Sequence, residues 1–254
     1  MGQKGITIPI HWTRTFIRDV IHYAKKTPLC TIEKSINIAE VQSAKKRIVK
    51  KAGWASIFIK AMGLASYEFR ELRQTWVPLP YPHLYEHPTP IASVAINRMV
   101  ENKDAVLFGL ISRPNTSSLT DITEELRQLK ANPIETIALF RRIRRTSNLP
   151  QPLRALVWNY GLYLSGYCKA KNMGTFGISS VSRFNANTLE LLTPLTSALN
   201  YGVVSPNGDC NIRLTFDHRV MDGLTVAKIL AYVEEAINFP IQDELEKQNY
   251  PKVA

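Results

Sequence analysis

The segment Leu214 to Gly223, LTFDHRVMDG, brings together a histidine, two aspartates, an arginine and a glycine. Imidazoles titrate near neutrality, which makes His218 the strongest candidate in the chain for a base that takes a proton from a hydroxyl, thiol or amine. Held at the end of a rigid strand, it would be aimed into a cleft with little freedom to lose. Asp222, four residues on, has two open roles: it orients the imidazole directly, or it pairs with an arginine elsewhere and holds the loop shape. Gly223 suits a tight backbone turn before a helix. By spacing alone, HxxxD is more often the mark of a structural histidine and a helix-capping aspartate.

The elements that must position these residues follow from hydrophobic spacing. Trp12 to Lys25 reads as an amphipathic helix stopped by Thr27-Pro28, and Cys30 to Ile38 alternates as a strand does. Val41 to Ala52 and Ser56 to Leu72 read as helices, and Pro78 to Pro82 as a loop. Strands are expected at Ile91 to Ile96 and Ala105 to Leu110, then a helix from Ser118 to Lys130, with Ser118 and Asp121 placed to cap its start. Leu199 to Val204 and Cys210 to Arg219 read as strands joined by SPNGD, where Asn207-Gly208 suits a tight hairpin. From Leu224 the spacing turns helical through Val226, Ile229, Leu230, Val233 and Ile237. The opening motif therefore sits where a strand ends and a helix begins, in a mixed α/β fold with a partly antiparallel sheet.

The chain has 254 residues, 45% of them hydrophobic and 21% charged, an ordinary composition for a soluble globular protein. No apolar run reaches membrane-spanning length, and the start, MGQKGITIPIHW, has no secretory apolar core. Cys30, Cys168 and Cys210 are scattered, without metal spacing, which suits a reducing cytoplasm. The net charge of +11 is uneven: no acidic residue lies between Glu135 and Glu190, while Arg141, Arg142, Arg144, Arg145, Arg154, Lys169, Lys171 and Arg183 do. Such a run attracts an anionic cofactor, an acidic carrier protein, a lipid surface or nucleic acid, or is simply a solvated face. The interleaved Trp158, Tyr160, Tyr163 and Tyr167 are expected on the buried side of a helix. His83, Tyr85 and His87, in PYPHLYEHPTP, read as loop or substrate-lining residues; further metal ligands are lacking.

FDHRVMDG resembles the C-terminal motif of the dihydrolipoyl acyltransferases of 2-oxo-acid dehydrogenase complexes and, more distantly, the HxxxDG motif of chloramphenicol acetyltransferase. GTFGIS, Gly174 to Ser179, is similar to the family's GTFTIS strand. AMGLASYEFRELRQTW, IASVAI and the opening helix with Arg14 fit as well, so the resemblance runs from about Trp12 to Asn238. It implies a chloramphenicol-acetyltransferase-like two-layer α/β fold, a mixed, largely antiparallel sheet with flanking helices, forming a single catalytic domain over 1–254. The basic helical segment 133–172 would be an insertion within it.

By the same resemblance, His218 is the general base and Ser179 donates a hydrogen bond to the oxyanion of the tetrahedral intermediate. Asp222 is paired with Arg14, or failing that Arg18, and Gly223 supports the site. CoA or acyl-CoA is the co-substrate, with no metal and no lipoate attached to this chain. The family's active site lies between subunits of a trimer, so His218 and Ser179 should come from different chains. The polar end DELEKQNYPKVA, in place of an apolar anchor, implies isolated homotrimers. Ser180 and Ser182 stand where the family has Asn and Gly. The expected activity is acyl transfer between CoA and a hydroxyl, amine or thiol acceptor. Its rivals are transfer from a separate lipoyl or acyl-carrier protein, and a non-catalytic binding or assembly protein that kept the fold. Nucleic acid and membrane are not the expected partners.

Overall fold

The computed structural model describes residues 5–47, 52–182 and 185–249. Helix α1 (Trp12–Ala24) buries Trp12, Phe16, Val20 and Tyr23, a spacing that puts them on one face. It leads through Pro28 into β1 (Leu29–Asn37), followed by α2 (Ala39–Arg47) and α3 (Trp54–Glu68). Ile57, Phe58, Ile59, Ala61 and Met62 are all fully buried, so α3 is enclosed on almost every side rather than amphipathic. Residues 48–51, the end of the expected second helix, lie outside the described residues.

The helix read from Ser56 to Leu72 stops at Glu68, and Arg70–Arg73 forms a separate 3-10 turn. Next comes a hairpin that the spacing did not reveal, β2 (Gln74–Val77) and β3 (His83–Glu86). Its strands of four residues are too short to show an alternation, and Pro78 to Pro82 is the loop joining them. The long hairpin β4 (Ile91–Val100) and β5 (Lys103–Ser112) precedes α4 (Leu119–Ala131), which Ser118 and Asp121 close with reciprocal capping bonds, as expected.

The basic segment is helical: α5 (Ala138–Ser147), α6 (Gln151–Asn159), a π-turn at Tyr160–Leu164 and α7 (Gly166–Met173). The last part holds β6 (Phe176–Ser179), β7 (Ser197–Tyr201), β8 (Asp209–Asp217), α8 (Gly223–Ala236) and α9 (Gln242–Asn249). Six strands form one sheet in the order β1-β8-β7-β6-β4-β5. β6 pairs in parallel with β4 and β7, and the other neighbours are antiparallel.

One face of the sheet packs Ile96, Ile178, Leu199, Ile212 and Leu214 against α3 and α8, forming the main core. A second cluster joins Phe16 and Val20 of α1 to Leu107 of β5 and to Phe140 and Ile143 of α5. Between these helices and the centre of the sheet the inward residues are Ser93 and Ala95 of β4, Gly177 of β6 and Ala198 of β7. Those side chains are too small to reach the helices, and a cavity of about 290 Å³ remains.

In the β7–β8 connection only Gly208 takes a positive φ, +87°, so Asn207 does not share that role. The Gly208 carbonyl accepts from the Ile38 amide at 2.9 Å, and a Cβ there would lie 2.4 Å from the Ala39 nitrogen. Gly208→Ala is therefore expected to lose at least about 1–2 kcal/mol of stability from the backbone angle alone. Urea unfolding would measure the loss, and an unchanged midpoint would contradict this packing.

Candidate functional site

Asp217 ends β8 and is 1% exposed, which is costly for a carboxylate unless it is fully paired. Arg219 supplies the pairing: Nε lies 2.9 Å from Oδ1, the terminal nitrogen lies 2.7 Å from Oδ2, and the Arg219 amide donates to Oδ1 at 3.0 Å. The guanidinium sits over the Trp76 ring at 5.4 Å, which ties the β2–β3 hairpin to the motif. This assigns Asp217 and Arg219 a part that the sequence left open. They clamp the turn on either side of His218 and leave the imidazole between them facing outward.

The His218 amide donates to the Pro28 carbonyl at 3.1 Å, anchoring the turn to the start of β1. Its ring lies 5.5 Å from that of Phe216, and its side chain is half exposed. Nδ1 is 3.6 Å from Oδ1 of Asp222, an ionic approach longer than a hydrogen bond. Asp222 is the residue before α8, but its side chain caps no helix amide.

Arg14 does not pair with Asp222 within one chain. It stands exposed at the beginning of α1, whereas the end of that helix leads to Pro28; ten residues of helix separate them by about 15 Å. Arg18, the alternative, is also exposed, and among the described residues neither has an ionic partner. Gly223 opens α8 without a positive φ, and a Cβ there would meet only Ile32 Cδ1 at 3.4 Å. The turn therefore makes no conformational demand for glycine at that position.

Ser179 ends β6 and lines the cavity with Ser93, Ala95 and Gly177. Asn200, its partner across the sheet, donates from Nδ2 to the Ser179 carbonyl at 3.1 Å. Asn200 is 2% exposed, and its Oδ1 has no hydrogen-bond partner in the chain. Nothing in the spacing of the sequence marked this residue. Ser180 and Ser182 bond to each other at 2.9 Å, and Ser180 also donates to the Tyr201 carbonyl, closing the turn after β6 without glycine.

His218 and Ser179 are held apart. Phe216 lies opposite Ser197 and Ser179 opposite Asn200, so the two residues approach opposite ends of β7. Five residue steps along the strands put them roughly 17 Å apart in that direction alone.

The other candidates lie elsewhere. His83 and Tyr85 are strand residues of β3, not loop residues, and none of His83, Tyr85 and His87 lines the cavity. His83 Nδ1 is 2.8 Å from the Tyr81 carbonyl oxygen, and Tyr85 packs on Gly166 at the start of α7. His87 is buried, which lowers its pKa, and Arg73 nearby lowers it further. Among the described residues no cluster of three or more His, Cys, Asp or Glu could hold a metal.

Trp158 stacks on Tyr23 and Tyr163 turns inward, as expected, but Tyr160 and Tyr167 are exposed. The basic run is less of a patch than its composition suggests. Arg144 pairs with Glu101 and Glu135, Arg154 with Asp19, and Arg141 donates to the Glu135 carbonyl. Arg183 lies outside the described residues.

Behind the motif lies a buried lysine. Lys169 of α7 is almost wholly enclosed, and desolvation lowers its pKa from 10.5 to about 8 although the charge of Asp217 opposes the shift. Below pH 8 the lysine is charged in both folded and unfolded chains, and the burial cost is felt in full. Between pH 8 and 10.5 the folded chain releases the proton first, so stability rises with pH. Lys169→Met should accordingly stabilise the protein at pH 7, by up to about 3 kcal/mol. Denaturant unfolding at pH 7 and pH 9.5 should show that advantage shrinking, and a constant advantage would count against the assignment.

No family model and no curated protein matches the sequence. Solved structures do match the fold. A probable dihydrolipoamide acetyltransferase from Listeria monocytogenes superposes with a TM-score of 0.66 at 20% identity, over 97% of this chain and 98% of that one. The Azotobacter vinelandii dihydrolipoamide acetyltransferase gives 0.67 at 17% identity, over 95% and 94%. That enzyme's structure comes from an investigation of the roles of a serine, a histidine and an asparagine in its own catalytic mechanism. A chloramphenicol acetyltransferase matches at 0.53 and 14% identity, over 87% and 94%. The chain has the chloramphenicol-acetyltransferase-like fold, a six-stranded mixed sheet with flanking helices.

Proposed function

We propose that the protein is an acyltransferase moving an acyl group between CoA and a hydroxyl, amine or thiol acceptor, at a site completed by a neighbouring copy in a homotrimer. The observation that carries most weight is the opposed placement of His218 and Ser179. Each stands at an open position on this fold, and neither finds the other within its own chain. A second copy bringing its His218 to the cavity beside Ser179 would supply what one chain lacks. Leu153, Leu156, Val157, Tyr160 and Leu164 also leave an exposed apolar stripe on α6 and the π-turn beside that cavity. A neighbouring copy would cover it.

In this reading His218 accepts the acceptor's proton as the acceptor attacks the thioester carbonyl. Asp222 Oδ1 stands 3.6 Å from Nδ1 of this imidazole. The tetrahedral oxyanion takes a hydrogen bond from the Ser179 hydroxyl. Collapse breaks the carbon–sulfur bond, and the imidazolium returns its proton to the departing thiolate. A base of this kind contributes ~10²–10⁴-fold in rate, and an oxyanion donor roughly 3 kcal/mol in the transition state.

His218→Ala should abolish turnover, and Ser179→Ala should lower it by about 10²-fold. Mixing the two variants under subunit exchange should raise activity above that of either alone, because some interfaces then combine an intact His218 with an intact Ser179. Turnover by His218→Ala at the wild-type rate would overturn the chemistry, and no recovery on mixing would overturn the shared site. Calorimetric titration with CoA should show saturable binding. Transfer from an acylated carrier protein without CoA binding would move the donor to that carrier.

A further inference from the structure

Among the described residues one charged side chain lines the cavity behind Ser179, and no carboxylate pairs with it. Its walls are Phe16 and Val20 of α1, Leu139 and Ile143 of α5, Trp158 of α6 and the small residues of the sheet. Among the described lining residues only Arg142 carries a charge. It shares a face of α5 with Leu139, Ile143 and Thr146, which turns it to the cavity rim. Its neighbours Arg141 and Arg144 have oxygen partners, but among the described residues no carboxylate lies within ion-pairing distance of Arg142. None is available nearby in sequence either, because 136–189 holds no acidic residue. Desolvation lowers the pKa of this guanidinium, and no opposite charge offsets that effect.

Arg142 is exposed at the rim, so water solvates its guanidinium while the site is empty, and a ligand seated in the apolar space would meet an unpaired cation there. Its planar fork matches a carboxylate through two parallel hydrogen bonds. With no second cation among the described lining residues, the balance favours a single negative charge over a phosphate dianion. The volume sets the size of the apolar part. A cavity of about 150 Å³ accommodates a benzene ring, so 290 Å³ accommodates on the order of ten to twelve non-hydrogen atoms.

We propose that the cavity binds an amphipathic monocarboxylic acid, with a chain or ring of about ten carbons among the apolar walls and its carboxylate on Arg142. Taken with the acyltransferase reading, on which this one step rests, the acid is the acyl acceptor, and the hydroxyl, amine or thiol that takes the acyl group is carried at the end remote from its carboxylate, towards Ser179. The binding assignment needs only the cavity and Arg142.

The test is calorimetric titration of the full chain with octanoate and with 1-octanol, which share the apolar chain and differ in charge. Wild-type protein should bind octanoate more tightly than 1-octanol. Arg142→Gln should weaken octanoate at least tenfold while leaving 1-octanol within about twofold, and Arg142→Lys should fall between. Ala95→Phe, which fills the cavity, should weaken both; if that variant does not fold, Ala95→Leu carries the same test. Equal octanoate affinity in wild type and Arg142→Gln would overturn the carboxylate assignment, as would the absence of octanoate binding. Undiminished binding in the filled variant would overturn the cavity as the site. His218→Ala should bind octanoate as wild type does, so failure of the acyltransferase reading would leave these outcomes intact and separately legible.

Discussion

A five-residue strand governs the geometry of the candidate site. β7 is hydrogen-bonded on one side to β8, which delivers His218, and on the other to β6, which delivers Ser179. Because β8 runs antiparallel to β7 and β6 runs parallel to it, their C-terminal ends emerge at opposite ends of the sheet. Sliding either strand by one residue would turn its buried Leu214 or Ile178 face outwards, so the register is fixed by the core. The separation of the two residues thus follows from packing far from either of them.

Two forms of incomplete satisfaction surround this rigid frame. On the cavity side the sheet carries serine, alanine and glycine where larger residues would have filled the space, forgoing part of the dispersion and burial energy that closes an ordinary core. On the motif side Lys169 remains enclosed near Asp217, whose carboxylate is already occupied by Arg219. Both features cost stability and neither is needed to form the fold. Asn200, with its unpaired carbonyl beside Ser179, belongs with them. The well-satisfied regions include the capping box of α4 and the largely buried α3, which packs on the opposite face of the sheet from the cavity.

Much of this was legible in the residues. The long amphipathic helices α1 and α8, the hairpin of β4 and β5, and the position of His218 between a strand and a helix all follow from periodicity strong enough to survive any context. The β2–β3 hairpin was not legible, because four residues are too few to alternate visibly and Trp76 gains its partner, Arg219, only in three dimensions. Arg14 was assigned by resemblance, and the direction of α1 sends it away from Asp222. The cavity left no mark in the sequence, since Ser93, Ala95, Gly177 and Ala198 become neighbours only when three separate strands align. Arg142 was visible as a charge, but its lack of a counterion depends on which of the surrounding arginines take the few available acids.

The pairing of β1 with β8 joins Leu29 to Asp217, and the His218 amide closes onto Pro28. β1 thus lacks this neighbour until the chain has been made through Asp217. Local units such as the β4–β5 hairpin need no such wait, and contacts this distant in sequence are slow to form. During synthesis β1 is an unpaired edge, and its alternating residues stay open to other chains for the longest time. The histidine turn closes onto Pro28 where β1 meets β8, so the pairing that adds β1 to the sheet also shapes the candidate chemistry.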